Sequence, residues 1–556
     1  MSEQENGRAD VSRRSVLTGL TALTAATSLG LAPKRAHAIG EPTVETTTGK
    51  VRGQRGAAGG YKFLCVPYGA STAGAARFMP PDLAKPWAGV RDAPKQPIIA
   101  PQINPNAKPP APGSPRAAIA GIGSETGSVE SEDCLNVTIY TPAIGLGRLP
   151  VLFWCHGGGF FAGSGSNAMY DGSQLATRGN VVVVNVTHRL GVLGYAHLAA
   201  AGDDFASSGN VGMMDIALAL SWVRDNIDRF GGDPKRVLIF GQSGGGAKVS
   251  ILTAMPSAKG LFHRAAIQSG AQRALRSLED AAAVSAIFMN QLGLKPTQAK
   301  ELQQVPLDKL MAANFALGTQ APPPGKQLNF VPVLDGQVVP RNPFEPIANS
   351  LNADVPIIVG ATRTEQTAFM LGDEAAFKLD ADGLKTRMRA QLGEKTGDAA
   401  VAFYTALQPQ ASPSDLYFQM MGDRERRKSI LLAELKAAQG VGKAYLYQLM
   451  WNTPVFDGTL RSPHSIDLPM VFDLADGARW SPYTGGGAGA QKLARTMSDT
   501  WVAFAYTGDP GNRLMPWPAY SLTRRDTMLF NETSAASPDP ARATRVFWDD
   551  VANGAV

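Results

Sequence analysis

The stretch Arg236-Val237-Leu238-Ile239-Phe240-Gly241-Gln242-Ser243-Gly244-Gly245-Gly246-Ala247 decides how this chain is read. Val237 to Phe240 form a short buried strand, and the chain then turns sharply through Gly241-Gln242-Ser243-Gly244-Gly245 into a helix. A nucleophile elbow requires this strand–turn–helix setting. The serine sits on a strained turn with its hydroxyl exposed, and the flanking glycines leave room for the neighbouring strand and helix. In a chain with 59 glycines among 556 residues, the G-x-S-x-G pattern alone does not exclude an ordinary glycine-rich turn. The strand before it, and partners elsewhere in the chain, decide between the two.

A serine hydroxyl is a weak nucleophile and needs an adjacent base, itself oriented by an acid. Of six histidines, two follow Ser243. His263 precedes the next strand too closely for an acid-bearing strand to fit between, and reads as a packing residue. His464 ends the turn Gly458-Thr459-Leu460-Arg461-Ser462-Pro463-His464, shortly after a strand expected at Ala444–Leu449. By elimination it is the base. Glu365 lies five residues beyond the strand expected at Val355–Gly360, where a carboxylate reaches a neighbouring strand's end; on spacing alone Asp354 and Asp373 stay in contention. The third requirement is a set of backbone N–H groups aimed at the developing negative charge. His156-Gly157-Gly158-Gly159-Phe160 follows the apolar run Pro150–Cys155 and has the form of such a loop. In it, His156 reads as stabilising the loop, while Phe160 and Phe161 are expected to line an apolar acyl pocket.

Working outward, Pro150–Cys155 and Val181–Val186 are near-continuous apolar runs, the pattern of parallel strands buried on both faces. Leu135–Thr141 alternates and is expected near a sheet edge, and Ala444–Leu449 is expected to be the last central strand. An amphipathic helix spans Asp215–Phe230, a further strand is read at Ala265–Ser269, and 275–318 and 373–440 are mainly helical. Strands alternating with helices give an α/β fold class: a large, mostly parallel central sheet with helices on both faces and helical insertions around the active site. The chain order Ser, acid, His is that of the α/β-hydrolase fold. Residues 103–128, rich in proline and glycine, read either as a long surface loop over the active site or as a disordered insertion.

Ser12-Arg13-Arg14-Ser15-Val16-Leu17, a weakly apolar segment to about Leu31 and Ala36-His37-Ala38 form a twin-arginine export signal with an A-x-A cleavage site. The expected division is a signal peptide at 1–38 and one enzyme domain at 39–556, placed in the periplasm or outside the cell. The segment is too short and diluted for a stable membrane anchor. A net charge of +6 without a basic run argues against a nucleic-acid partner. Three cysteines, Cys65, Cys134 and Cys155, make no disulfide framework, and no Cys/His cluster has metal spacing, so neither metal nor cofactor is expected.

The mature chain resembles a type-B carboxylesterase/lipase, the group of bacterial p-nitrobenzyl esterases, animal carboxylesterases and cholinesterases. The ordered matches include Phe63–Tyr68, Arg77-Phe78, Ser131-Glu132-Asp133-Cys134-Leu135-Asn136, Gly157-Gly158-Gly159-Phe160, Gly209-Asn210-Val211-Gly212, Phe230-Gly231-Gly232-Asp233-Pro234, Gln268-Ser269-Gly270 and Trp517-Pro518. By that resemblance Ser243, Glu365 and His464 are the triad and the amides of Gly158, Gly159 and Gly244 the oxyanion donors. Glu132 would pair with Arg77, and a small-molecule carboxylic ester would be the substrate, cleaved through an acyl-enzyme. An acyl- or carbamoyl-transferring enzyme and a non-catalytic binding module are the other classes open to the fold. The chain departs from the family at Gln242, where Glu is usual; at Ala100-Pro101-Gln102, which leaves Cys134 without the family's partner; and at His188, in place of a Tyr.

Overall fold

The computed structural model describes residues 41–556, except 57, 105–109, 111–113, 115, 118–122, 124, 146 and 323–326. The expected export signal therefore lies outside the described residues, as does most of the expected 103–128 loop.

Eleven strands form the central sheet. They are β1 (Gln54–Arg55), β2 (Tyr61–Pro67), β3 (Asn136–Thr141), β4 (Leu149–Cys155), β5 (Val182–Thr187), β6 (Gly232–Gln242), β7 (Arg264–Gln268), β8 (Ile357–Thr362), β9 (Ala444–Leu449), β10 (Asp526–Phe530) and β11 (Ala535–Pro538). Their order across the sheet is 1-2-3-5-4-6-7-8-9-10-11. The run from β5 to β10 is parallel, while β1, β3 and β11 pair antiparallel with their neighbours. After β5 the winding reverses, because β6 returns to the other side of β4. In open α/β sheets the crevice outside the carboxyl ends of the strands at such a reversal is where ligands bind.

Alternate residues of one strand enter different cores, as the two-residue period requires. Val151, Phe153 and Cys155 of β4 face one core with Val184, Ile239, Ile267 and Val359. Leu152 and Trp154 face the other with Val183, Leu238, Phe240 and Ile358. Helix α1 (Val211–Asn226), helix α2 (Gly244–Leu252) and part of α3 (Pro413–Ala438) cover the first face. Helix α4 (Gly487–Thr507) covers the second through Leu493, Met497, Trp501 and Phe504. With both faces covered, the central strands contain long apolar runs.

Two expectations are corrected. β3 is not near an edge: two strands lie outside it and all six of its residues are buried. Two of its polar side chains donate to backbone, Asn136 Nδ2 to Ile98 O at 3.0 Å and Thr141 Oγ1 to Phe230 O at 2.8 Å. The alternation that suggested an exposed face is hydrogen-bonded interior. Nor is β9 the last central strand, since β10 extends the parallel sheet and β11 closes that edge. Cys65, Cys134 and Cys155 are buried free thiols. Glu132 pairs with Arg77 through two bonds of 2.7 Å, as the resemblance implied.

Candidate active site

The carboxyl ends of five adjacent parallel strands lie nearly level. Cys155 pairs with Gly241, Gln242 with Gln268, and Gln268 with Gly360. The loops leaving β4, β6, β7, β8 and β9 therefore emerge side by side, and they carry the candidate residues.

Ser243 follows β6 with φ 59° and ψ −126°. A non-glycine residue there is strained by about 1–3 kcal/mol and must be held in place. Its N–H donates to Gln268 O at 2.8 Å, and its carbonyl accepts from Ala247 N at 3.0 Å, tying the turn to β7 and to the first turn of α2. The serine lines a cavity of about 550 Å³ together with Gly244, Glu365, Phe369, Glu425 and His464.

Beside it runs the loop after β4. Gly158 has φ +82°, and a Cβ there would lie 2.4 Å from Ala162 O. Only glycine tolerates both constraints. The loop abuts the elbow: an added Cβ on Gly157 would lie 3.6 Å from Ser243 Cβ, and one on Gly244 2.2 Å from Gly159 O. Among the described residues, the N–H groups of Gly158, Gly159 and Gly244 donate to no protein acceptor. His156 is buried; its Nδ1 contacts Gly157 O at 2.8 Å and its ring stacks on His188 at 5.0 Å. Of the two aromatics expected in an acyl pocket, Phe160 is buried edge-on against Tyr195 and does not line the cavity beside Ser243. Phe161 is exposed and borders a second cavity, of about 710 Å³.

From β8 and β9 come Glu365 and His464, where Oε2 of the buried carboxylate hydrogen-bonds Nδ1 of the imidazole. Oε1 accepts from Ser269 Oγ and from Thr362 N, both at 2.7 Å. Burial opposes the charge on Glu365, but His464, Ser269 and Thr362 outweigh it and hold the carboxyl below its ordinary pKa. For His464, burial opposes the imidazolium, and Glu365 more than offsets that, so its pKa is raised. Asp354 and Asp373 do not share this position: Asp373 pairs with Arg387 at 2.8 Å. His263, half-buried, accepts from Val237 N at 3.3 Å and plays no part in the cavity.

Sequence reasoning gave no role to Ser269, Asp467 or the Gln242 amide contact. Asp467 is buried, accepts from Gln268 Nε2 at 2.9 Å and Tyr447 Oη at 3.0 Å, and is pushed by burial to a pKa of about 6. Ser269 is in the quoted Gln268-Ser269-Gly270 match, but only the level ends of β7 and β8 show that its hydroxyl meets Glu365.

A model of the carboxylesterase family matches residues 40–548. The chain belongs to the carboxylesterase family. As a member this esterase is a serine hydrolase that cleaves esters. It is 34% identical over 505 residues to para-nitrobenzyl esterase of Bacillus subtilis, covering 90% of this chain and 97% of that one. Phenmedipham hydrolase of Pseudarthrobacter oxydans is 31% identical, over 91% of the esterase and 99% of its own length. Among solved structures, a Geobacillus stearothermophilus carboxylesterase superposes with a TM-score of 0.75 at 33% identity, over 91% of this chain and 99% of the other.

Proposed function

We propose that Ser243, His464 and Glu365 act as nucleophile, general base and orienting acid in hydrolysis of small-molecule carboxylic esters through an acyl-enzyme. The observation that carries this is the pairing of Glu365 with His464 in the cavity that Ser243 lines. An ionised Glu365 only accepts hydrogen bonds, so the neutral imidazole carries its proton on Nδ1 and presents a lone pair at Nε2. Ser243 Oγ attacks the ester carbonyl while its proton passes to Nε2. The tetrahedral oxyanion takes the free N–H groups of Gly158, Gly159 and Gly244. Collapse expels the alcohol, which receives the proton from Nε2. Water then adds to the acyl-enzyme by the same base and releases the acid.

Purified protein with p-nitrophenyl esters of graded acyl length, beside Ser243→Ala, tests the assignment. Turnover in the parent and none above background in the variant supports it; equal turnover in both contradicts it.

The proposal includes export by the twin-arginine route. Its support is the Ser12-Arg13-Arg14-Ser15-Val16-Leu17 pattern with Ala36-His37-Ala38 downstream. Fractionation of cells carrying the parent or the Arg13→Lys/Arg14→Lys variant tests it. Export of both alike would contradict that route.

A further inference from the structure

Lys248, one turn and a half beyond Ser243 on α2, is fully buried and makes no ion pair with any described residue. Lysine is almost never buried without a partner, because desolvating an ammonium is costly. Its Nζ donates to His156 O at 3.0 Å and to Gly159 O at 2.8 Å, and lies 5.3 Å from the centre of the Phe160 ring. Those two carbonyls bracket the segment that carries the Gly158 and Gly159 amides.

We infer that Lys248 is a positioning residue: its ammonium clamps both ends of the Gly157–Gly159 segment and so aims the oxyanion amides at the carbonyl that Ser243 attacks. The inference rests on the assignment of those amides in the function proposed above. An uncharged residue of the same shape would fill the space without holding either carbonyl. The glycines that let the loop turn its amides inward carry no side chains of their own; His156 Nδ1 contacts Gly157 O, and Lys248 adds an anchor at each end of the segment from the helix that begins at Ser243.

The titratable groups facing Lys248 are Cys155 at the end of β4, His156 in the loop and His188 after β5. Burial pushes the Cys155 thiol up to about 12 and both imidazoles well below their ordinary value, so none is charged near neutrality. Burial likewise lowers Lys248 to about 7. Loss of its proton leaves two N–H groups for two carbonyls but removes the charge, so the clamp weakens as pH rises through that value.

The test compares the parent protein with Lys248→Met, of equal length and without donors or charge. The probes are a p-nitrophenyl ester and an alkyl trifluoromethyl ketone, to whose carbonyl Ser243 Oγ adds, its proton passing to His464 and the resulting oxyanion staying in the hole. The variant is expected to lose about 10- to 100-fold in kcat with KM little changed, less than removal of a donor outright. Ketone affinity is expected to fall by a similar factor. The parent's kcat is expected to rise and then decline across neutral pH, and the decline to disappear in the variant. A folded variant with kcat and ketone affinity within about twofold of the parent overturns the inference. If the parent hydrolyses the ester but is not inhibited by the ketone, the oxyanion assignment beneath it falls. Should that variant not fold, Lys248→Leu, which also lacks donors and charge, takes its place under the same criteria: loss of kcat and of ketone affinity supports the inference, and values within about twofold of the parent overturn it.

Discussion

The side-chain nitrogen of Gln242 stands 3.1 Å from Nε2 of His464, while its Oε1 accepts from Ser465 Oγ at 3.1 Å. The Ser465 hydroxyl thus turns the NH2 of Gln242 toward the imidazole. Because Nδ1 is engaged with Glu365, Nε2 is the acceptor of this contact. Among the described residues no hydrogen bond joins Ser243 to His464, and in the proposed mechanism the Gln242 amide gives up Nε2 when the serine proton is transferred to it. An amide donor in that place favours neutral imidazole and disfavours imidazolium.

Replacing that donor with a carboxylate should reverse the preference. Gln242→Glu is expected to raise the pKa of His464, so the acid limb of the kcat/KM profile should move up by about one unit. The pH dependence of p-nitrophenyl acetate hydrolysis measures it. An unmoved limb would show that the Gln242 contact does not bear on the base.

Glu365 acts on the same limb in the opposite sense. In the proposed mechanism the neutral imidazole is the working form, and the carboxylate raises its pKa above the ordinary value, so activity should fall as pH drops through a value above about 6.5. Glu365→Gln is expected to move that limb down and to cost on the order of 10³–10⁴ in kcat, since an amide no longer fixes the tautomer. Unchanged kcat would remove Glu365 from the mechanism.

Gly245 lies at the closest approach in the elbow: a Cβ there would come within 2.0 Å of Cys155 O, on the strand beside β6. Backbone on both sides cannot yield, so Gly245→Ala should destabilise the fold by on the order of 3 kcal/mol. Gly318 has nothing within 4 Å of an added Cβ, and Gly318→Ala should leave stability nearly unchanged. Urea denaturation of the two variants makes the comparison.

Arg77 is buried with Glu132 and also donates to Leu302 O at 3.0 Å and Val305 O at 2.7 Å. Glu132→Ala leaves a buried guanidinium without its counter-ion, which costs about 3–5 kcal/mol. Neither residue lines the cavity with Ser243. The melting temperature should fall, while kcat in the fraction that remains folded should match the parent.

How much of this was legible in the sequence depended on whether the signal was local. The elbow, the glycine loop and the apolar runs of β4, β5 and β8 state their geometry within a few residues. His464 followed from the scarcity of histidines, whereas Glu365 stood level with Asp354 and Asp373 on spacing and needed the resemblance. β10 was missed because Asp526–Phe530 is short and follows Arg524-Arg525. β3 was misplaced because its buried Asn136 and Thr141 side chains bond to backbone distant in sequence, which alternation does not reveal. Phe160 points into the core against Tyr195, an orientation set by the turn at Gly158 and Gly159. The contacts of Ser269, Gln242 and Lys248 arise where strand ends lie level, a property of the assembled sheet.

The most direct test of the central claim is covalent labelling by a fluorophosphonate, followed by peptide mass mapping. One label per chain on Ser243, abolished in Ser243→Ala and slowed in His464→Ala, is the predicted result. A folded protein that hydrolyses p-nitrophenyl esters while Ser243 stays unlabelled would contradict the account.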